Sequence, residues 1–342
     1  MNAAGGFATC RIHEKLMEQL ERALAGRISL LGEPHHGALR LFNGYTEGLP
    51  GLVVDLYASA LVIHNHAEQP DLLRETILES LDFYRARLPW LAVGLLKTRR
   101  AEDIEERKGR LVFGGNLPRR VWENGIWYAL DLRLNQDASF YLDTRGLRAW
   151  LKENSSGLEV LNTFAYTGSL GAACAAGGAA RVLQVDLNRH FLNLGKDTYA
   201  LNGLAVRRSD FLAEDFFRAS ARLRRSGEQF DIVLLDPPFF SETAAGRVDL
   251  EGQGERLVNK VRPLLKDGGR LVVINNALYL SGLDFLAGLE RLGADGYLHL
   301  EEILPVPEDV CGVPGARVGA VPADPAPFNH STKIAVLRVK RK

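Results

Sequence analysis

Residues 160–186 read VLNTFAYTGSLGAACAAGGAARVLQVD: a β-forming run, a turn with Gly168 and Gly171, a tract of small residues, and a second β-forming run ending in Asp186. Strand, small-residue helix and strand in succession are the unit of a parallel sheet whose faces are covered by helices. The same rhythm extends outward. LEVLNTF precedes a helix predicted from Gly168 to Ala176, RVLQVD precedes one predicted over 188–201, and LAVRRSD, FDIVLLD and RLVVINN continue the series of strands. Towards the C-terminus the rhythm breaks, because GYLHLEEIL at 296–304 and TKIAVLRVK at 332–340 follow one another with no helix between. The expectation is an antiparallel final pair.

Upstream of Asp131 the pattern differs. Residues 11–26 space apolar residues for one amphipathic helix ending at Gly26, and residues 38–66 alternate as strands with turn signals at Asn43-Gly44 and Leu49-Pro50-Gly51. A helix is predicted near 70–86, then strands in WLAVGLLK, RLVFGG and GIWYALDL. The resulting division is a helical appendage over 1–34, a small α+β domain over 35–130 and the α/β domain over 131–342. A chain of 342 residues suffices for two domains, and its 46% hydrophobic and 25% charged residues are ordinary for a soluble globular protein. The 42 basic and 42 acidic residues cancel, so any polyanion site must be local. Cys10, Cys174 and Cys311 are too few for a disulfide framework or a Cys-rich metal site and fit a reducing cytoplasm. No signal-peptide pattern opens the chain, and no apolar run approaches a membrane span. His35-His36 and the His64/His66 pair lack a nearby cysteine or carboxylate to complete a metal set and read as surface or turn residues.

In a parallel sheet the residues just past each strand's carboxyl end face the ligand crevice. Here they are Asn162 to Gly168, including Phe164, Tyr166 and Thr167; Asp186 with Leu187; Asp210 with Phe211; Asp236; and Asn275-Asn276. The turn is not G-x-G-x-x-G, which counts against a dinucleotide. Asp186 lies 18 residues beyond Gly168 (186 − 168), where an acid accepts both ribose hydroxyls of an adenosine ligand, and Asp210 is placed to accept from an adenine amino group. An adenosine cofactor without a pyrophosphate turn points to S-adenosylmethionine. Taken singly, Asp186 and Asp236 read as well as helix N-caps. Three acids at successive strand ends beside the glycine turn favour a site.

NQDASFYLDTRGLRAWL at 135–151, residues 160–188 and FDIVLLDPPFF at 230–240 resemble the S-adenosylmethionine-dependent methyltransferases that include the large-subunit ribosomal RNA cytosine-C5 and guanine-N7 enzymes. LFNGYTEGLPGLVVDLY at 41–57 and VWENGIWYALDL at 121–132 extend the likeness, which covers roughly residues 38–280. It implies a Rossmann-like class I methyltransferase fold, an α/β mixed seven-stranded sheet with an antiparallel last strand, preceded by a small α+β substrate-binding domain. It also implies that Phe140, Asp143 and Arg145 sit at the cofactor's entrance. From the residues alone, FYLDTR is only a strand-to-helix junction with Asp143 as N-cap.

Methyl transfer is an in-line displacement that needs acceptor and methyl about 3 Å apart with water stripped away. Asp236 is expected to accept a hydrogen bond from the acceptor or the cofactor amine, Pro237 and Pro238 to fix the loop without backbone donors, and Phe239 to stack on a planar acceptor. The other reading keeps Phe239 and Phe240 as core beneath a Pro-Pro bend. Attack through C5 of a pyrimidine requires a cysteine thiolate to add to C6 first. In the resembled cytosine enzymes that cysteine follows the fifth strand; here the place reads VVINNALYLSG, more like the guanine-N7 branch, with Asn275 as the acceptor-side candidate and turn chemistry as its alternative. Cys174 reads as inert core. Residues 305–331, rich in Pro and Gly, form a long stretch between the last two strands that reads as a lid or binding loop at the rim. Within it Cys311 is weighed as a nucleophile against simple loop packing, and Asn329 and His330 are further rim candidates.

Residues 85–120 carry ten Lys or Arg against four acids, a local balance of +6 (10 − 4), with Trp122 and Trp127 nearby. That stretch is the candidate RNA contact, weighed against a solvated charged face. Two features point away from a ribosomal substrate: some 35 residues precede the shared region where many relatives carry an extra RNA-binding domain, and Asp137 stands where the family's Q-K-T-G pattern has Lys. The expected function is therefore methylation of an RNA base at a nitrogen. A small planar metabolite or protein side chain is the alternative acceptor, and a non-catalytic cofactor-binding module comes third.

Overall fold

The computed structural model describes residues 3–319 and 321–341, with side chains outside 3–13 and 251–253. Contacts divide the chain into two units, Met1–Glu123 with Leu130–Leu142 and Pro307–Ala320, and Asn124–Ala129 with Asp143–Val306 and Val321–Lys342.

The first unit runs α1 (Ala3–Ala25), β1 (Ala38–Asn43), α2 (Gly44–Glu47), β2 (Leu52–Tyr57), β3 (Ala60–Asn65), α3 (Arg74–Arg87), β4 (Val93–Thr98), α4 (Ile104–Lys108), β5 (Arg110–Phe113) and β6 (Arg120–Glu123). Helix α1 starts earlier than residue 11, because its first residues are small and carry no hydrophobic period to read. The sheet order is β1-β2-β3-β4-β5, with β3 and β4 parallel across α3 and the other neighbours antiparallel. Successive side chains alternate between faces. Leu39, Leu41, Val54, Leu56, Leu61 and Ile63 form one apolar core with Leu16 and Leu20 of α1 and Ile77 and Leu81 of α3. Arg40, Asp55, His64 and Lys97 fall on the opposite face.

The second unit holds β7 (Ile126–Ala129), α5 (Arg145–Asn154), β8 (Glu159–Thr163), α6 (Ser169–Ala176), β9 (Arg181–Asp186), α7 (Arg189–Leu201), β10 (Phe211–Ala213), α8 (Phe216–Arg225) and β11 (Phe230–Leu235). It continues with β12 (Phe240–Thr243), β13 (Gly246–Asp249), α9 (Leu250–Val261), β14 (Leu265–Asn275), α10 (Gly282–Gly293) and β15 (Leu298–Leu304); α11 (Glu308–Cys311) lies in the first unit, and β16 (Lys333–Val339) closes the second. The order β10-β9-β8-β11-β14-β16-β15 makes a Rossmann-like mixed sheet of seven strands, the first five parallel and β16 antiparallel to both neighbours. The last strand thus inserts between β14 and β15. Successive strands are added outward in opposite directions from β8 and from β11, so the switch point, where a crevice opens past the carboxyl ends, lies between these two parallel strands.

Three local expectations change. LAVRRSD is not a strand: Arg208–Asp210 form a 3₁₀ turn, and pairing starts at Phe211, opposite Gln184. Residues 205–209 are exposed, so the burial that favours a strand begins only at Phe211. The hairpin of β12 and β13 is an addition, written in polar residues without a strand's apolar alternation. Residues 305–331 are not one loop, since Pro307–Ala320, including α11, belong to the first unit and residues 321–331 to the second.

Candidate cofactor and acceptor site

The turn after β8 is held in a costly conformation. Phe164 (φ 55°), Tyr166 (φ 50°) and Gly168 (φ 73°) are all left-handed, and for residues with a Cβ such backbone costs on the order of 1 kcal/mol or more each. Surrounding contacts impose it. The Tyr166 amide donates to Asp186 Oδ2 at 2.8 Å, the Phe164 ring stacks on Phe216 at 4.5 Å, and the Tyr166 ring meets Phe191 edge-on at 4.6 Å. Thr163 ties β8 to β11 by donating to the Leu234 carbonyl at 2.6 Å. Thr167 is buried. Beneath the turn Asn162 Nδ2 donates to Gln184 Oε1 at 3.1 Å, and the Tyr199 hydroxyl donates to the Gly171 carbonyl at 3.2 Å. A Cβ on Gly171 would stand 2.5 Å from the buried Gln184 side chain and would displace it from its hydrogen bond with Asn162. Asn162 Oδ1 is buried with no hydrogen-bond partner among the described residues.

Asp186 serves two backbone amides, Tyr166 through Oδ2 and Asn188 through Oδ1, each at 2.8 Å. Burial pushes its carboxyl up, while these two amides pull it down. Each oxygen retains a further lone pair, so the capping reading and the ligand reading are compatible. Leu187 beside it is exposed.

Asp236, one residue past β11, has no hydrogen-bond donor among the described residues. Part of the residue reaches solvent, yet its carboxyl lies deep, and burial, then the neighbouring Asp143 carboxylate, raise it to about 7. Asp143 Oδ2 accepts from the Thr332 hydroxyl at 2.8 Å, and Arg145 opens α5. Pro237 is buried and Pro238 exposed. Phe239 is 47% and Phe240 50% exposed, so the reading of this pair as core does not hold. The Arg247 guanidinium sits 4.9 Å from the Phe240 ring centre.

Asn275 ends β14 buried, its Oδ1 accepting from the Ala277 amide at 2.9 Å, which is turn-closing chemistry. Opposite it in the ladder lies Lys333, which sequence reasoning missed. Its ammonium donates to the Ala277 and Ser331 carbonyls at 3.0 and 2.6 Å, and burial lowers it to about 8. A lone Lys at the head of the apolar run KIAVL was the available signal. A cavity of about 420 Å³ opens beside Leu235, Pro237 and Asn275, between α9 and α10, walled by Leu257, Phe285 and Leu289.

Other candidates fall elsewhere. Asp210 precedes β10 instead of following it, its Oδ1 lying 3.8 Å from Arg181 Nε. Phe211 is buried edge-on to Tyr199. Past the carboxyl end of β10 stand Glu214, ion-paired to Arg222, and Asp215, which caps α8 and accepts from Thr243. Phe140 is a buried residue of the first unit whose carbonyl accepts from the Tyr57 hydroxyl at 3.1 Å. Cys174 is enclosed in α6 and Cys311 in the first unit; burial pushes their thiols up to about 12 and about 11. His330 Nδ1 accepts from the Thr332 amide, and Asn329 makes two hydrogen bonds to Val306. The side chain of Cys10 lies outside the described residues.

Residues 113–320 match the family model for S-adenosylmethionine-dependent methyltransferases. The chain belongs to that family. It is 32% identical over 288 residues to ribosomal RNA large subunit methyltransferase I of Aeromonas salmonicida, covering 82% of this chain and 70% of the relative. It is 33% identical over 269 residues to the protein of the same name from Shewanella amazonensis, covering 75% and 65%. The chain thus spans about two thirds of the length of these relatives. Among solved structures, a protein described as a methyltransferase complexed with SAH superimposes with a TM-score of 0.83 at 20% identity, over 96% of this chain and 82% of the other. At that identity the likeness shows the fold. This methyltransferase uses S-adenosylmethionine, and its residues fit that cofactor: Asp236 and Asp143 crowd two carboxyls together, and Asp186 is a third acid raised by burial. Such a set suits a ligand with cationic charge and hydroxyl donors and would repel a polyphosphate. No helix among the described residues is long and apolar enough to cross a membrane.

Proposed function

We propose that this methyltransferase modifies a base of ribosomal RNA at a ring nitrogen, guanine N7 being the model acceptor, without a cysteine adduct. The observation that carries the reading is the end of β14, where Asn275 closes a turn and no thiol stands, while Cys174 and Cys311 are buried with raised thiols. A nitrogen lone pair attacks directly, so no covalent step is needed. The names of the relatives favour ribosomal RNA.

In this reading Asp186 and the Phe164–Gly168 turn hold the ribose and its base, with Asn162 supporting from below and Leu187 covering one side. Asp143 and Arg145 form the entrance. Bound S-adenosylmethionine supplies a methyl group made electrophilic by its sulfonium. Asp236 accepts from the acceptor or from the cofactor's ammonium, Pro237 and Pro238 hold that carboxylate without backbone donors of their own, and Phe239 stacks on the acceptor ring. The first unit serves as the substrate-binding domain. A second reading, a small planar acceptor, is favoured by the cavity of about 420 Å³ beside Pro237 and Asn275.

The test is transfer of labelled methyl to ribosomal RNA lacking modification, followed by nucleoside analysis. Labelled 7-methylguanine is the expected product. Label in 5-methylcytosine would overturn the nitrogen assignment, and a labelled small planar compound with unlabelled RNA would establish the second reading.

A further inference from the structure

Half of the ten basic residues at 85–120 are tied up within the first unit. Lys97 is buried, with its ammonium on the Asn135 and Asp137 carbonyls, and Arg87, Arg99, Lys108 and Arg110 are paired to Glu21, Asp137, Glu105 and Glu106. A different arrangement on the same unit does present ligand chemistry. Tyr45, in α2, is 47% exposed. Its ring centroid lies 6.0 Å from that of His66, which stacks on His64 at 5.8 Å with only 16° between planes. Burial pushes His66 down to about 4, so its imidazole is uncharged at neutral pH. Arg40, Arg99 and Arg100 stand close enough to act electrostatically on the Tyr45 phenol. Arg40 is fixed by Asp55 at 2.8 Å and Arg99 by Asp137 at 2.7 Å, whereas Arg100 is exposed with no ion pair among the described residues.

We propose that Tyr45, His66 and His64, with Arg99 and Arg100 beside them, form a docking surface for single-stranded RNA, one base stacking on Tyr45 and a backbone phosphate lying against Arg100. The inference rests on the RNA reading above. Charge and rings together carry it: guanidinium groups meet phosphate, every base has a face that stacks on an aromatic ring, and splayed single strands are the form of RNA that offers both. Two carboxylates hold two of the arginines in place, so less side-chain entropy is lost on binding. An acidic protein surface would use the arginines alone and leave the exposed Tyr45 ring without a role.

The experiment is fluorescence anisotropy with a short labelled single-stranded RNA of mixed sequence, using the full chain, Tyr45→Ala, Tyr45→Phe and Arg100→Ala. Each variant is checked for unchanged urea unfolding and unchanged S-adenosylmethionine binding. Tyr45→Ala should weaken RNA binding by about tenfold while Tyr45→Phe, which keeps the ring, stays near wild type. Arg100→Ala should weaken binding and lower the slope of log affinity against log salt by about 1. Wild-type affinity kept by both alanine variants would overturn this surface and leave the RNA reading standing. Equal affinity for duplex RNA, or loss in Arg100→Ala alone, would also overturn it. A wild-type chain that neither binds nor methylates RNA would remove both proposals together.

Discussion

Asp55, within β2 of the first unit, is 3% exposed and receives Arg40 at 2.8 Å, with His64 Nε2 at 3.4 Å. Asp236, past β11 of the second unit, has Asp143 as its charged neighbour. Burial pushes both carboxyls up. At Asp55 the guanidinium and the imidazole outweigh burial and hold the acid well below the ordinary range, whereas at Asp236 burial and Asp143 act together to reach about 7. The same residue type in enclosed surroundings therefore does opposite work. Asp55 is compensated by its own fold; Asp236 is left uncompensated, and in the proposed function a cationic partner compensates it.

Asp236→Asn keeps the shape and removes the charge. It should cut methyl transfer by about 100-fold to 1,000-fold in kcat, the scale seen when one electrostatic contact at a reacting centre is lost, with urea unfolding undiminished. A loss below tenfold would break the contrast. Asp55→Ala should do the reverse, leaving Arg40 without its carboxylate and removing about 3 kcal/mol of stability in urea unfolding, while the folded fraction binds cofactor as before. Asp186→Ala lies between the two, because Asp186 caps Tyr166 and faces the crevice. Calorimetry should show S-adenosylmethionine affinity weakened by at least about tenfold, the scale of one hydrogen bond to a charged group, and a ligand-indifferent variant would return Asp186 to a capping role alone.

The smallest effect is the one that separates the acids by pH. Asp55 is depressed, so its contribution to stability is present above the ordinary carboxylate value and is lost as pH falls through its lower folded value. Asp236 is raised, so its contribution is present below the ordinary value and is lost as pH rises through about 7. A cation binds the ionised form of Asp236. S-adenosylmethionine affinity should therefore climb as pH rises towards 7, by up to about tenfold per pH unit, and level off above it. In Asp236→Asn that titration should vanish, and its persistence would move the dependence to another group.

The βαβ rhythm from 158 to 275 was legible because strand burial and helix spacing are local periods, and the Tyr166–Asp186 region was legible because a turn between parallel strands needs glycine and polar caps wherever it occurs. Asp210 was misplaced for a related reason: Arg207, Arg208 and Ser209 interrupt the period, and only pairing of Phe211 with Gln184 shows where β10 begins. Phe239 and Phe240 were readable either as a stacking surface or as core, and only their exposure beside the β12–β13 hairpin excludes core.

By itself the sequence determined the α/β class, the antiparallel tail, the glycine turn and the acids that end strands β9 and β11, because each is set by residues within a turn or two of one another. Tertiary structure alone decided that β16 inserts between β14 and β15, that residues 307–320 belong to the first unit, that Lys333 is buried opposite Asn275, and that Asp236 faces Asp143 while Asp55 faces Arg40. Whether a carboxylate is neutralised or left raised depends on charges brought from distant parts of the chain and on the water excluded around it, and neither is written in the residues beside it.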